Sequence, residues 1–144
     1  MNARHSIAAI ALLSTTSLAT ADVRLPGMFS DSMVLQRDAK LPIWGWAQPG
    51  EEITVAVAGQ KVATTADKDG NWRVTLSPLK ADGKPQEMIV SGKKDRIIFK
   101  DVLVGEVWLC GGQSNMQMGV RDCFNSWDEV AAANFPQIRM FHAT

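Results

Sequence analysis

Ile53, Val55 and Val57 alternate with Thr54 and Ala56, and Trp72, Val74 and Leu76 alternate with Arg73 and Thr75. An apolar period of two suits a strand with one buried face and defeats a helix, whose buried stripe recurs every three to four residues. The same region is cut by turn signals at Gly59-Gln60, Asp69-Gly70 and Ser91-Gly92-Lys93-Lys94. Short strands are therefore expected over 33–37, 43–47, 53–57, 62–66, 72–76, 88–90 and 97–99. No stretch here sustains a helical period. Many short strands at this spacing predict a β-sandwich or barrel over residues 22–102. Apolar residues make up 46% of the 144 and charged residues 21%, enough to build a core.

Two patterns in this region have a functional and a structural reading. Asp67-Lys68-Asp69-Gly70-Asn71 resembles the start of a calcium loop, but its glycine is fourth and its twelfth residue would be Pro78. An EF-hand needs glycine sixth and glutamate twelfth, so a hairpin turn is expected. Trp44, Trp46 and Trp72 on strand positions serve either a core or a sugar-stacking platform. The chain carries five tryptophans and no tyrosine.

Residues 1–21 have the parts of a secretory signal. Arg4 gives the positive start, Ile7 to Leu13 is an unbroken apolar run, and Ala19-Thr20-Ala21 is an A-x-A cleavage site before Asp22. The run is too short to span a bilayer, which takes about 20 residues. A periplasmic or secreted protein with no membrane association after cleavage is expected. Export would place Cys110 and Cys123 where disulfides persist, although spacing does not decide whether they pair. Cys110, at the end of an apolar run, reads as a buried thiol.

The pattern changes at Val102. Val102 to Cys110 is nearly continuously apolar, broken only by Gly105-Glu106. A strand apolar on both faces belongs inside a parallel sheet covered by helices. It runs into Gly111-Gly112-Gln113-Ser114-Asn115-Met116. Ligands of open α/β sheets sit beyond the carboxyl ends of the strands, and glycine permits the sharp turn and close approach such a site needs. Ser114 would stand exposed there as a nucleophile. This is not the G-x-S-x-G elbow, since position 116 is methionine, and spacing alone is equally met by an ordinary turn. Ser126-Trp127-Asp128-Glu129 is a capping-box pattern opening a helix that Pro136 follows, and Gln137 to Phe141 reads as the next strand.

Gly105 to Met116, read Gly105-Glu106-Val107-Trp108-Leu109-Cys110-Gly111-Gly112-Gln113-Ser114-Asn115-Met116, resembles the nucleophile block of the sialate O-acetylesterases, members of the SGNH (GDSL-like) hydrolases related to acetyl-xylan esterases. Leu25 to Arg37 and Trp44 to Glu51 resemble the start of the same family. The resemblance implies a β-sandwich at 22–102 followed by an α/β/α catalytic domain, of which 103–144 would be the first strand-helix-strand. It implies that Ser114 is the catalytic nucleophile of an exported carbohydrate O-acetylesterase, with Gly112, Gln113 and Asn115 around the substrate. It also implies a base in an Asp-x-x-His block, and no Asp-x-x-His occurs in this sequence. The 144 residues therefore read as an N-terminal fragment, inactive by itself. His142 is the one histidine near the tail and an alternative base. The other reading of the chain is a non-catalytic glycan-binding or accessory β-sandwich domain.

Charge and composition remove other classes. Fifteen Lys and Arg balance fifteen Asp and Glu, which argues against a phosphate-tracking surface and hence against nucleic acid. Two cysteines do not make a four-ligand zinc site. No metal and no cofactor is expected, and the partner implied by the resemblance is an O-acetylated carbohydrate.

Overall fold

The computed structural model describes residues 23–142. The expected signal segment, 1–21, lies outside the described residues.

Seven strands follow one another from Val34 to Gly105: β1 (Val34–Gln36), β2 (Leu41–Trp46), β3 (Glu52–Val57), β4 (Gln60–Thr65), β5 (Asn71–Leu76), β6 (Gln86–Ser91) and β7 (Arg96–Gly105). They form a five-stranded sheet of order β1-β7-β6-β3-β4 and a two-stranded ribbon, β2-β5. All pairings are antiparallel except β1 with β7, where Val34 faces Leu103 and Gln36 faces Gly105.

The period of two orients the side chains as its physics requires. Ile53, Val55 and Val57 from β3, Met88 and Val90 from β6, and Ile43, Trp72, Val74 and Leu76 from the ribbon share one buried cluster. The polar positions between them face outward. β4 buries no residue and carries Lys61, which suits an edge strand that must not recruit another chain. The β3–β4 hairpin turns on Ala58 and Gly59, both at positive φ as a two-residue primed turn demands.

Gly45 is fixed by a close approach. Arg24 pairs with Trp46 across a backbone bridge, donating and accepting at 2.8 Å each way. A Cβ at position 45 would lie 2.0 Å from the Arg24 carbonyl oxygen and 2.9 Å from Trp72 Cζ2. Only glycine fits between that bridge and the buried indole.

Several sequence expectations are corrected. Asp69-Gly70 is a turn, but it carries the chain from the five-stranded sheet to the ribbon and closes no hairpin ladder, since β5 pairs with β2. The apolar run from Val102 to Cys110 is not one strand. Val102, Leu103 and Val104 are buried in β7 between β1 and β6, which accounts for their apolar character within the β-rich part of the chain. Val107 to Cys110 are exposed and form no strand. Gln137 to Phe141 forms no strand either. A strand requires a hydrogen-bonded neighbour, and these segments have none among the described residues.

The expected helix is present as α1 (Ser126–Ala132). Its N-cap is Asn125 in the left-handed region, φ 58°, with no side-chain capping bond, so Ser126 lies inside the helix and the capping box does not form.

Candidate functional site

Gly112, Gln113, Ser114 and Asn115 lie together in a single exposed turn beyond the end of β7. Ser114 opens a short 3-10 turn, Ser114–Met116. The Met116 N–H donates to the Gln113 carbonyl at 2.9 Å, and the Gln117 N–H donates to the Ser114 carbonyl at 3.0 Å. The N–H groups of Ser114 and Asn115 head this turn and make no backbone hydrogen bond among the described residues, as the first donors of any such turn are left free. A Cβ at position 112 would fall 2.6 Å from Met116 Cγ, so the glycine admits the methionine side chain across the turn. A hydroxyl and free N–H groups on one turn are the parts that attack on an ester carbonyl and stabilisation of its oxyanion require.

Among the described residues no side chain hydrogen-bonds to the Ser114 hydroxyl, His142 included. His142 is exposed. Cys110 and Cys123 are both exposed free thiols, so Cys110 is not the buried group its position suggested. It lies past the end of β7, where nothing among the described residues covers it.

Two polar clusters tie the segment bearing Ser114 to the β-rich part. At its start, Gln36 Nε2 donates to Glu106 Oε2 at 3.1 Å and Gln36 Oε1 accepts from the Val107 N–H at 2.9 Å. Near its end, Arg139 Nη2 donates to Asp101 Oδ2 at 2.9 Å, and the Ser32 hydroxyl donates to the same oxygen at 2.8 Å. Ser32, followed by the charge of Arg139, holds the Asp101 carboxyl below the usual carboxylate range. Sequence reasoning missed this cluster, because its bonded pairs lie 69 and 38 positions apart and carry no spacing signal.

The candidate calcium loop is occupied from within. Asp67 Oδ1 accepts from the N–H groups of Asp69 at 2.9 Å and Asn71 at 2.8 Å. Those bonds, that of Asn71 first, lower the Asp67 pKa. The carboxylate therefore serves the turn.

Comparison with known proteins gives the chain a lineage. It is 37% identical to human (Homo sapiens) sialate O-acetylesterase over 129 aligned residues, covering 81% of this chain and 24% of the human protein. The chain is a homologue of sialate O-acetylesterases. The mouse (Mus musculus) sialate O-acetylesterase is 36% identical over 130 residues, covering 82% of this chain and 24% of that protein. A stretch covering 81% of 144 residues takes in position 114 wherever it begins. The chain spans about a quarter of the length of these sialate O-acetylesterases. Among solved structures, a carbohydrate acetylesterase from Xanthomonas citri superposes with a TM-score of 0.76 at 39% identity, covering 79% of this chain and 26% of that one. No family model matches the chain.

Proposed function

We propose that the chain is the leading part of an exported carbohydrate O-acetylesterase in which Ser114 is the nucleophile. The observation that carries this is the homology to sialate O-acetylesterases over a stretch that includes the exposed Gly112-Gln113-Ser114-Asn115 turn. In this reading Ser114 Oγ attacks the carbonyl carbon of an acetyl ester on a sugar and gives its proton to a base. The oxyanion is met by the Ser114 N–H and further donors. The sugar oxygen leaves with a proton, and the acetyl group stays on Ser114. Water then attacks the acetyl-enzyme and releases acetate, restoring the serine. In this reading the base is the histidine of an Asp-x-x-His block, a pattern that does not occur in these 144 residues.

The β-rich part is then a sandwich, and the segment after Gly105 is the opening of an SGNH-type α/β domain. Its exposed apolar side chains support this. Leu109 and Phe124 are each 99% exposed and Met140 is 96% exposed, a density that a finished surface does not carry. Further chain would cover them. Residues 1–21 would be removed on export, leaving a periplasmic or secreted protein acting on acetylated glycans.

The test is covalent labelling of the full-length gene product with a fluorophosphonate ester, followed by peptide mapping. The label belongs on the peptide containing Ser114. Labelling at a different serine overturns the assignment.

A further inference from the structure

The ribbon β2-β5 sorts its tryptophans between two faces. Trp72 is 3% exposed and packs in the core, Trp44 is half-buried and packs against that core, and Trp46 stands exposed on the outer face. Register places Arg73 opposite Trp44 and Asn71 opposite Trp46. These side chains, with Thr65 and Asp67 beside them, line a groove of about 550 Å³.

The groove is built on rigid parts. Trp46 is bonded to Arg24 through both its backbone N–H and its carbonyl, at 2.8 Å each. Trp44 packs edge-on against Phe29, with ring centroids 5.1 Å apart at 80°. Yet Trp46 remains 42% exposed on a face where the alternation calls for polar residues. The Asn71 amide in the groove donates to Asp67, but the guanidinium beside it is unspent. Arg73 makes no ion pair or side-chain hydrogen bond among the described residues. Asp67 Oδ1 is taken up by its own turn.

Exposed indole surface beside an unpaired guanidinium fits one chemistry well. A pyranose ring has an apolar C–H face that lies on an aromatic ring and a rim of hydroxyls that accept from a guanidinium. An acyl chain would leave Arg73 unsatisfied. We infer that the outer face of β2-β5 is a glycan-anchoring subsite, separate from Ser114, that holds the carbohydrate chain bearing the acetyl ester. The inference takes the carbohydrate class from the proposed esterase function but uses none of its catalytic residues.

The test is calorimetric titration of the full-length gene product with two acetyl-free probes, a xylo-oligosaccharide and 3′-sialyllactose, with acetate release from an acetylated glycan measured in parallel. At least one probe binds, and Trp46→Ala and Arg73→Ala each weaken that binding tenfold or more while circular dichroism shows both variants folded. The probe that binds names the glycan. Absence of binding by the unaltered protein, or affinity unchanged in both folded variants, overturns the subsite. A Trp46 indole inaccessible to acrylamide quenching in the free protein also overturns it, because polypeptide then fills the groove. Binding without acetate release leaves the subsite standing and counts against the esterase; acetate release with unchanged affinity in the variants does the reverse.

Discussion

Arg139 reaches back to Asp101, donating from Nη2 to Oδ2 at 2.9 Å, and so joins the stretch after α1 to strand β7. With the Gln36–Glu106–Val107 bonds at the other end, the segment bearing Ser114 is fastened to the β-rich part both where it leaves and where it returns. Asp101 is held at a positive φ of 54° and Ser32 at 58°, and both side chains serve this one junction.

That junction should be sensitive to acid. The Asp101 pKa is lowered, first by the Ser32 hydroxyl and then by Arg139. A folded pKa below the unfolded one adds stability that is fully present above the unfolded value and is lost as pH falls through the folded one. Thermal melting should therefore weaken as pH drops below about 4. Asp38, lowered by Lys80 and then by Arg37, and Asp67 contribute in the same direction. Asp101→Asn should flatten part of the acid slope; an unchanged slope removes Asp101 from the account.

Trp72→Ala should cost about 3–5 kcal/mol in denaturant unfolding, because the buried indole leaves a cavity between the ribbon and the five-stranded sheet. Gly45→Ala should also destabilise, since its methyl would sit 2.0 Å from the Arg24 carbonyl oxygen. A Gly45→Ala midpoint equal to that of the unaltered protein would show that the Arg24–Trp46 bridge yields freely.

Much of this fold was legible because its cause is local. The alternations at 53–57 and 72–76 set which face is buried, and Trp72, Val74 and Leu76 do face the core. What depends on distant pairing was not legible. Nothing near Asp69-Gly70 shows that β5 will pair with β2, so the outer face joining Trp44 to Arg73 appears only with the register. Val102 to Cys110 misled because a continuous apolar run has more than one cause: Val102 to Val104 are covered within the five-stranded sheet, and Val107 to Cys110 are uncovered. The Gly112 to Asn115 turn was found because its residues are contiguous. The Arg139–Asp101–Ser32 cluster was not, because charges on separate elements carry no spacing signal.

Export is tested by the mature N-terminus. Intact-mass analysis of protein recovered outside the cytoplasm should place the first residue at Asp22, after the Ala19-Thr20-Ala21 site. A recovered chain that begins at Met1 contradicts it.

The 144 residues alone should release no acetate from an acetylated sugar. Serine is a weak nucleophile without a base, and among the described residues none is bonded to Ser114. Turnover by this chain that is abolished in His142→Ala would make His142 the base and reverse the prediction.

The most direct measurement is acetate release by the full-length gene product carrying Ser114→Ala. Loss of the nucleophile leaves only binding and oxyanion stabilisation, so kcat should fall by about 10³-fold or more. KM should change less, since the hydroxyl reacts with the ester and does little to hold the sugar. A Ser114→Ala enzyme that turns over at near the unaltered rate would contradict the assignment and leave Gly112-Gln113-Ser114-Asn115 as a turn without catalytic purpose.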